Sequence, residues 1–159
     1  MFLKLKMIGY LLLNKMGLLH AILGLIVVGV SLEVFWTSLF NGIKKKDLRF
    51  KGTSYLWMFP IYAIAVFIFL FVTGVFMDVS IWIRGIVYLI LFTLLEFLSG
   101  IVIRKLVGKS PWDYTNYKIK IFEKIIKSNL KGVICLQYLP VWYIYGIFGE
   151  LFFLFLIGI

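Results

Sequence analysis

Two glutamates stand inside long apolar runs: Glu33 in GVSLEVFWTSLF and Glu96 in LFTLLEFLSGIVIRKLV. A carboxylate in hydrocarbon is costly unless it faces a polar interior, so such residues are default candidates for binding a proton, a cation or a polar headgroup. Gly29, Glu33 and Thr37 recur every four residues, as do Glu96, Gly100 and Arg104, so each set shares one stripe of a helix. A small residue one turn from each carboxylate lets a neighbouring helix come close. Ser38 and Ser99 add hydroxyls at similar depth. Arg104 stands near a helix end, where its guanidinium either turns toward Glu96 or reaches for the headgroups. Downstream of it Trp112, Asp113 and Tyr114 bring an acid and a phenol to the mouth of any cavity the glutamates line.

Other chemistries are poorly supplied. His20 is the only histidine and lies 13 residues before Glu33, about 20 Å along a helix. Cys135 is the only cysteine and reads as a small packed hydrophobe. With neither a His cluster nor a Cys pair, no metal, no cofactor and no catalytic nucleophile–His pair is expected. Glu150, one turn past Gly146, reads as a local packing residue.

The elements that must carry these residues are membrane spans. The chain has 159 residues, 63% hydrophobic, with a mean hydropathy of +1.04, against ~45–50% for soluble domains. Four runs reach the ~20 apolar residues a crossing needs, at about 17–40, 54–76, 81–103 and 133–159. The expected class is all-α, a bundle of four transmembrane helices forming one domain over 17–159. Residues 1–16 are too short to span beside the first helix and carry three lysines, which suits an amphipathic interfacial segment.

The net charge of +10 is not a nucleic-acid signature, because the cations cluster between spans. Thirteen Lys and Arg fall in the 41–53 and 104–132 loops and four elsewhere, which places both basic loops in the cytoplasm and both termini outside. Anionic membrane lipids are the natural partner of those loops. Within the second loop, KIKIFEKIIK sets Ile119, Phe122 and Ile126 on one side of a short surface helix. With this orientation Glu33 and Glu96 lie about 10 Å from the cytoplasmic ends of their helices, and Pro60 and Gln137 fall a few residues in from the same side, so one layer holds one polar or special residue from each span. A shared polar pocket is the expectation. No internal repeat or low-complexity tract stands out.

The blocks GVSLEVFWTSL, FKGTSYLWMFPIYA, LLEFLSGIVIRKLVGKSPWDYTNY and LKGVICLQYLPVW, in this order, resemble the ABC-transporter type IV permease family of small bacterial membrane proteins. They are also similar to the eukaryotic transmembrane protein 229 group. The resemblance covers about residues 25–146, and its most specific part is the Glu-aromatic-x-Ser-Gly with its basic end and Trp-Asp-Tyr. The family's marks fall on Gly29, Glu33, Gly52, Pro60, Tyr62, Glu96, Gly100, Trp112, Asp113, Tyr114, Gly132 and Leu136. This chain departs from the pattern at Gln137, where a Glu often stands, in NLKG where Asn-Gly-Arg is usual, and in a longer stretch between Asp113 and Gly132.

The resemblance implies a transport permease. No G-x-x-x-x-G-K-[ST] loop is present, so ATP hydrolysis would fall to a separate ATPase subunit. Four helices are few for a transport path, which favours a homo-oligomer. The leading expectation is a permease or lipid-handling component, with Glu33, Thr37, Glu96, Ser99, Arg104, Asp113, Tyr114 and Gln137 as ligand-binding residues. An intramembrane enzyme acting on a lipid ranks below it, and a structural subunit without ligand chemistry is the third reading.

Overall fold

The computed structural model describes residues 15–116, 118–121, 124–127 and 129–158. The interfacial segment expected at 1–16 therefore lies outside the described residues, except for the two that open the first helix. Four α-helices follow: α1 Lys15–Lys45, α2 Met58–Phe76, α3 Ile81–Val107 and α4 Leu139–Leu156. The stretches Gly17–Lys45, Met58–Phe76, Ile81–Val107 and Leu136–Leu156 are long and apolar enough to cross a membrane. The fold class is all-α, with four candidate spans.

Helix ends follow local chemistry. α1 and α3 run past the expected ends at residues 40 and 103 because Lys44, Lys45, Arg104 and Lys105 lie in their last turns, where cations complement the helix dipole. At 31 residues α1 is ~46 Å long, enough to carry its basic end beyond a ~30 Å hydrocarbon layer. α3 stops at Gly108, whose φ of +81° puts it in the left-handed region and lets its N–H donate to the Arg104 carbonyl at 3.0 Å.

The fourth helix begins later than the sequence suggests. Ile134–Cys135 is extended, Leu136–Tyr138 is a 3₁₀ turn, and the α-helix starts at Leu139. Pro140 has no N–H and its ring would clash with the carbonyl four residues back, so a regular helix cannot run through this stretch.

A second correction concerns KIKIFEKIIK. Its described backbone is extended: β1 Lys118–Ile121 and β2 Lys124–Lys127 pair antiparallel, with Ile119 opposite Ile126 and Lys118 opposite Lys127. Phe122 lies outside the described residues. The alternation Lys-Ile-Lys-Ile has a period of two, and isoleucine favours the pleated chain. A smaller ladder joins β3 Asn129–Leu130 to β4 Ile134–Cys135.

The chain divides into two compact units, one running to Phe71 and resuming at Phe152, the other spanning Val72–Leu151. The first buries Ala21, Leu25, Ala65, Val66 and Phe69, and Phe69 stacks on Phe153 with ring centroids 5.8 Å apart. In it the Tyr62 ring fills the space beside Gly29. The second unit buries Tyr88, Phe92, Ile103, Val133, Ile134 and Cys135, with the Tyr88 ring packed on Gly146 and Tyr143 on Gly85. Large apolar side chains such as Phe35, Phe67, Val102 and Phe148 are exposed along all four spans, as a lipid-facing surface requires.

Candidate functional site

Glu96 is buried on α3 at 7% exposure. Trp142, in the first turn of α4, donates its Nε1–H to Glu96 Oε2 at 2.9 Å. The Tyr114 hydroxyl, from the loop after α3, also hydrogen-bonds this carboxyl. Both partners are neutral. Around them Phe92 lies 6.0 Å from the Trp142 ring and 5.1 Å from Tyr145, and Tyr114 lies 5.5 Å from Tyr138. Burial above all, then the nearby Glu96 charge, pushes the Tyr114 phenol well above its ordinary range. It therefore stays a neutral donor across physiological pH.

The loop reaches Glu96 because glycine lets it in. A Cβ on Gly100 would collide with Val133 and come within 3.3 Å of Trp112. Trp112 Nε1 donates to the Val133 carbonyl at 2.8 Å, and the Tyr114 N–H donates to the Gly132 carbonyl at 2.9 Å. Gly132 has φ +70°, and a Cβ there would lie 2.5 Å from Thr115 Oγ1. Asn129 Oδ1 accepts the Gly132 N–H at 3.1 Å. Asp113 Oδ1 accepts from the Thr115 N–H at 2.9 Å and from its hydroxyl at 2.5 Å. These bonds hold the Asp113 carboxyl below the usual carboxylate range.

The remaining expected site residues in this unit do other work. Arg104 donates from Nη1 to the Lys131 carbonyl at 2.9 Å, so it anchors the β3–β4 turn. Ser99 returns its hydroxyl to the Leu95 carbonyl at 2.5 Å, a bond inside its own helix. Gln137 is exposed in the 3₁₀ turn. Of the expected set, Glu96 and Tyr114 meet directly, with Asp113 bracing the loop beside them.

Glu33 belongs to the other unit and is half-buried on α1. Ser54 donates its hydroxyl to Glu33 Oε2 at 2.6 Å. The segment from Phe50 to Ser54 doubles back along α1. Thr37 Oγ1 accepts the Thr53 N–H at 2.9 Å, and the Ser38 hydroxyl donates to the Phe50 carbonyl. A Cβ on Gly52 would run into the Val34 carbonyl. Thr37 thus tethers the returning chain, and Ser54 is the hydroxyl that reaches Glu33.

Sequence reasoning missed a third cluster. Glu150, fully buried on α4, receives Nε–H of Arg84 at 2.9 Å on Oε2, a second guanidinium bond on Oε1, and the Tyr88 hydroxyl at 2.8 Å. Arg84 also donates to the carbonyls of Met77 and Val79, closing the turn between α2 and α3. From the sequence Glu150 reads as a packing residue and Arg84 only as one of the four cations outside the two basic loops. The available signal was opposite charges at the same end of two spans, with Tyr88 one turn from Arg84.

Among the described residues no three His, Cys, Asp or Glu side chains gather as a metal cage. The model of one family, described as Putative ABC-transporter type IV, matches residues 21–157. No solved structure matches the chain.

Proposed function

This multi-pass membrane chain belongs to the Putative ABC-transporter type IV family, and from that premise we propose that it is a transport component whose Glu96 binds a monovalent cation, proton included, arriving from the cytoplasm. The observation that carries this reading is the company Glu96 keeps. It is buried at 7% exposure, yet its hydrogen-bond partners Trp142 and Tyr114 are uncharged. A carboxylate has about four lone-pair directions, and a desolvated negative charge attracts a counter-charge strongly. Glu150, fully buried, already has Arg84.

The basic loops 41–53 and 104–132 face the cytoplasm in this reading, and both termini lie outside. Tyr114 then approaches Glu96 from the cytoplasmic side, on the loop that follows α3. A separate ATPase subunit supplies hydrolysis and docks on the basic 104–132 loop, with anionic lipids bathing the same surface and a homo-oligomer completing the transport path.

Melting of the detergent-solubilised protein, across alkali and ammonium chlorides at constant ionic strength and across pH, tests the site. A ligand that binds only the folded state stabilises it by mass action, roughly 2.7 kcal/mol at one hundred times Kd. One cation should raise Tm saturably in the wild type and leave Glu96→Gln unmoved. Equal responses in the two proteins would refute the site.

A further inference from the structure

The two glutamates occupy matching places in a repeat that becomes visible only through contacts. The inward stripe of α1 is Ala21, Leu25, Gly29, Glu33 and Thr37, and that of α3 is Arg84, Tyr88, Phe92, Glu96 and Gly100. Each member of the second stripe lies 63 residues after its counterpart in the first. Beyond the loops, Lys51-Gly52, Leu56, Pro60 and Tyr62 precede Lys131-Gly132, Leu136, Pro140 and Trp142 by a constant 80 residues.

The contacts obey both offsets. Tyr62 packs on Gly29 in one unit, and Trp142 packs on Phe92 in the other. Thr37 hydrogen-bonds the backbone of Thr53, and Gly100 lies against Val133. The sequence hides this because 18 residues separate Glu33 from Lys51 while 35 separate Glu96 from Lys131, so no single period aligns the halves. The longer second loop contains the Trp112–Tyr114 segment and the β1–β2 ladder.

We infer that the chain is a tandem repeat of one helix–loop–helix module, and that Glu33 is a second binding carboxylate for the same monovalent cation as Glu96. Each chain then holds two sites, one per module, in keeping with the repeat construction of many transporters. This rests on the proposed role of Glu96 and extends it. The sites differ in cover: Ser54 supplies the hydroxyl at Glu33 and Tyr114 the one at Glu96, and Glu33 is the more open of the two.

The O–H of a protonated carboxyl group adds across a C=N bond of a hydrophobic carbodiimide, so a bound alkali cation, which replaces that proton, shields its carboxylate from labelling. Wild-type protein in lipid nanodiscs is labelled with dicyclohexylcarbodiimide while NaCl, KCl or acid is titrated against N-methylglucamine chloride, and peptides are read by mass spectrometry. Label should appear on both Glu33 and Glu96, faster on Glu33, and both should respond alike: falling together as Na+ or K+ displaces the proton, or, where the ligand is the proton itself, rising together with acid. In Glu96→Gln the Glu33 label and its response should persist. A response at Glu96 with an insensitive Glu33 overturns the second site and leaves the first standing. Insensitivity of Glu96, whatever Glu33 does, overturns both.

Discussion

Glu96 and Glu150 lie in the same compact unit, on facing-in positions of α3 and α4, and are both buried. Glu150 meets a guanidinium in a two-pronged ion pair and a phenol, and the same guanidinium closes the preceding turn. Glu96 meets an indole and a phenol and, among the described residues, no cation. Burial alone therefore does not mark a working carboxylate. In the proposed reading the charge balance of its neighbours does: one carboxylate is neutralised by an arginine, and the other is available to a cation.

That contrast breaks most visibly at the ion pair. Arg84→Ala or Glu150→Ala leaves one buried charge without its partner and should cost about 3–5 kcal/mol, read as a lowered Tm in detergent. The double change Arg84→Met with Glu150→Leu should recover most of that loss, since a buried pair is often replaceable by apolar residues. A double variant no better than either single one would show that the pair does more than balance charge.

Gly100→Ala comes next. Its Cβ would strike Val133 and press on Trp112, and such overpacking costs about 1–3 kcal/mol. The 112–114 segment should lift away, so solvent quenching of tryptophan fluorescence should rise with the loss of stability. Glu96→Gln should be milder for the fold. The amide oxygen still accepts from Trp142 and Tyr114, and the cost should stay near 1 kcal/mol while the cation-dependent Tm shift disappears. Ser54→Ala removes one hydroxyl from a half-buried carboxyl and should cost at most about 1 kcal/mol.

The smallest effect is at Asp113. Its carboxyl is held below the ordinary range by Thr115, so its support for the turn is complete above the usual aspartate pKa and is lost as pH falls through the depressed folded value. Hydrogen exchange at the Thr115 amide should accelerate only in that acidic window, and acceleration nearer neutral pH would contradict the assignment.

The spans were legible because a twenty-residue apolar run admits few other structures, and the two glutamates were legible because they interrupt those runs. What the other polar residues do was not legible. Thr37, Ser99 and Arg104 all find backbone carbonyl acceptors, and a stripe on a helical wheel does not show where a returning loop will lay its carbonyls. The Arg84–Glu150 pair was not legible because the two residues lie 66 apart on different helices, and a sequence does not show which faces of two spans meet. The KIKI stretch was read with a helical period although its own period is two. The repeat escaped because its constancy lies in two separate offsets with a variable loop between them.

The central claim, that Glu96 awaits a cation which Glu150 does not need, is tested most directly by following carbodiimide modification of both residues in one wild-type sample during a cation titration. Modification at Glu96 should fall saturably with a specific alkali or ammonium ion, or rise saturably with acid where the ligand is the proton, while Glu150, held by Arg84, stays unmodified throughout. Equal modification of the two, or a Glu96 rate indifferent to every cation and to pH, would contradict it.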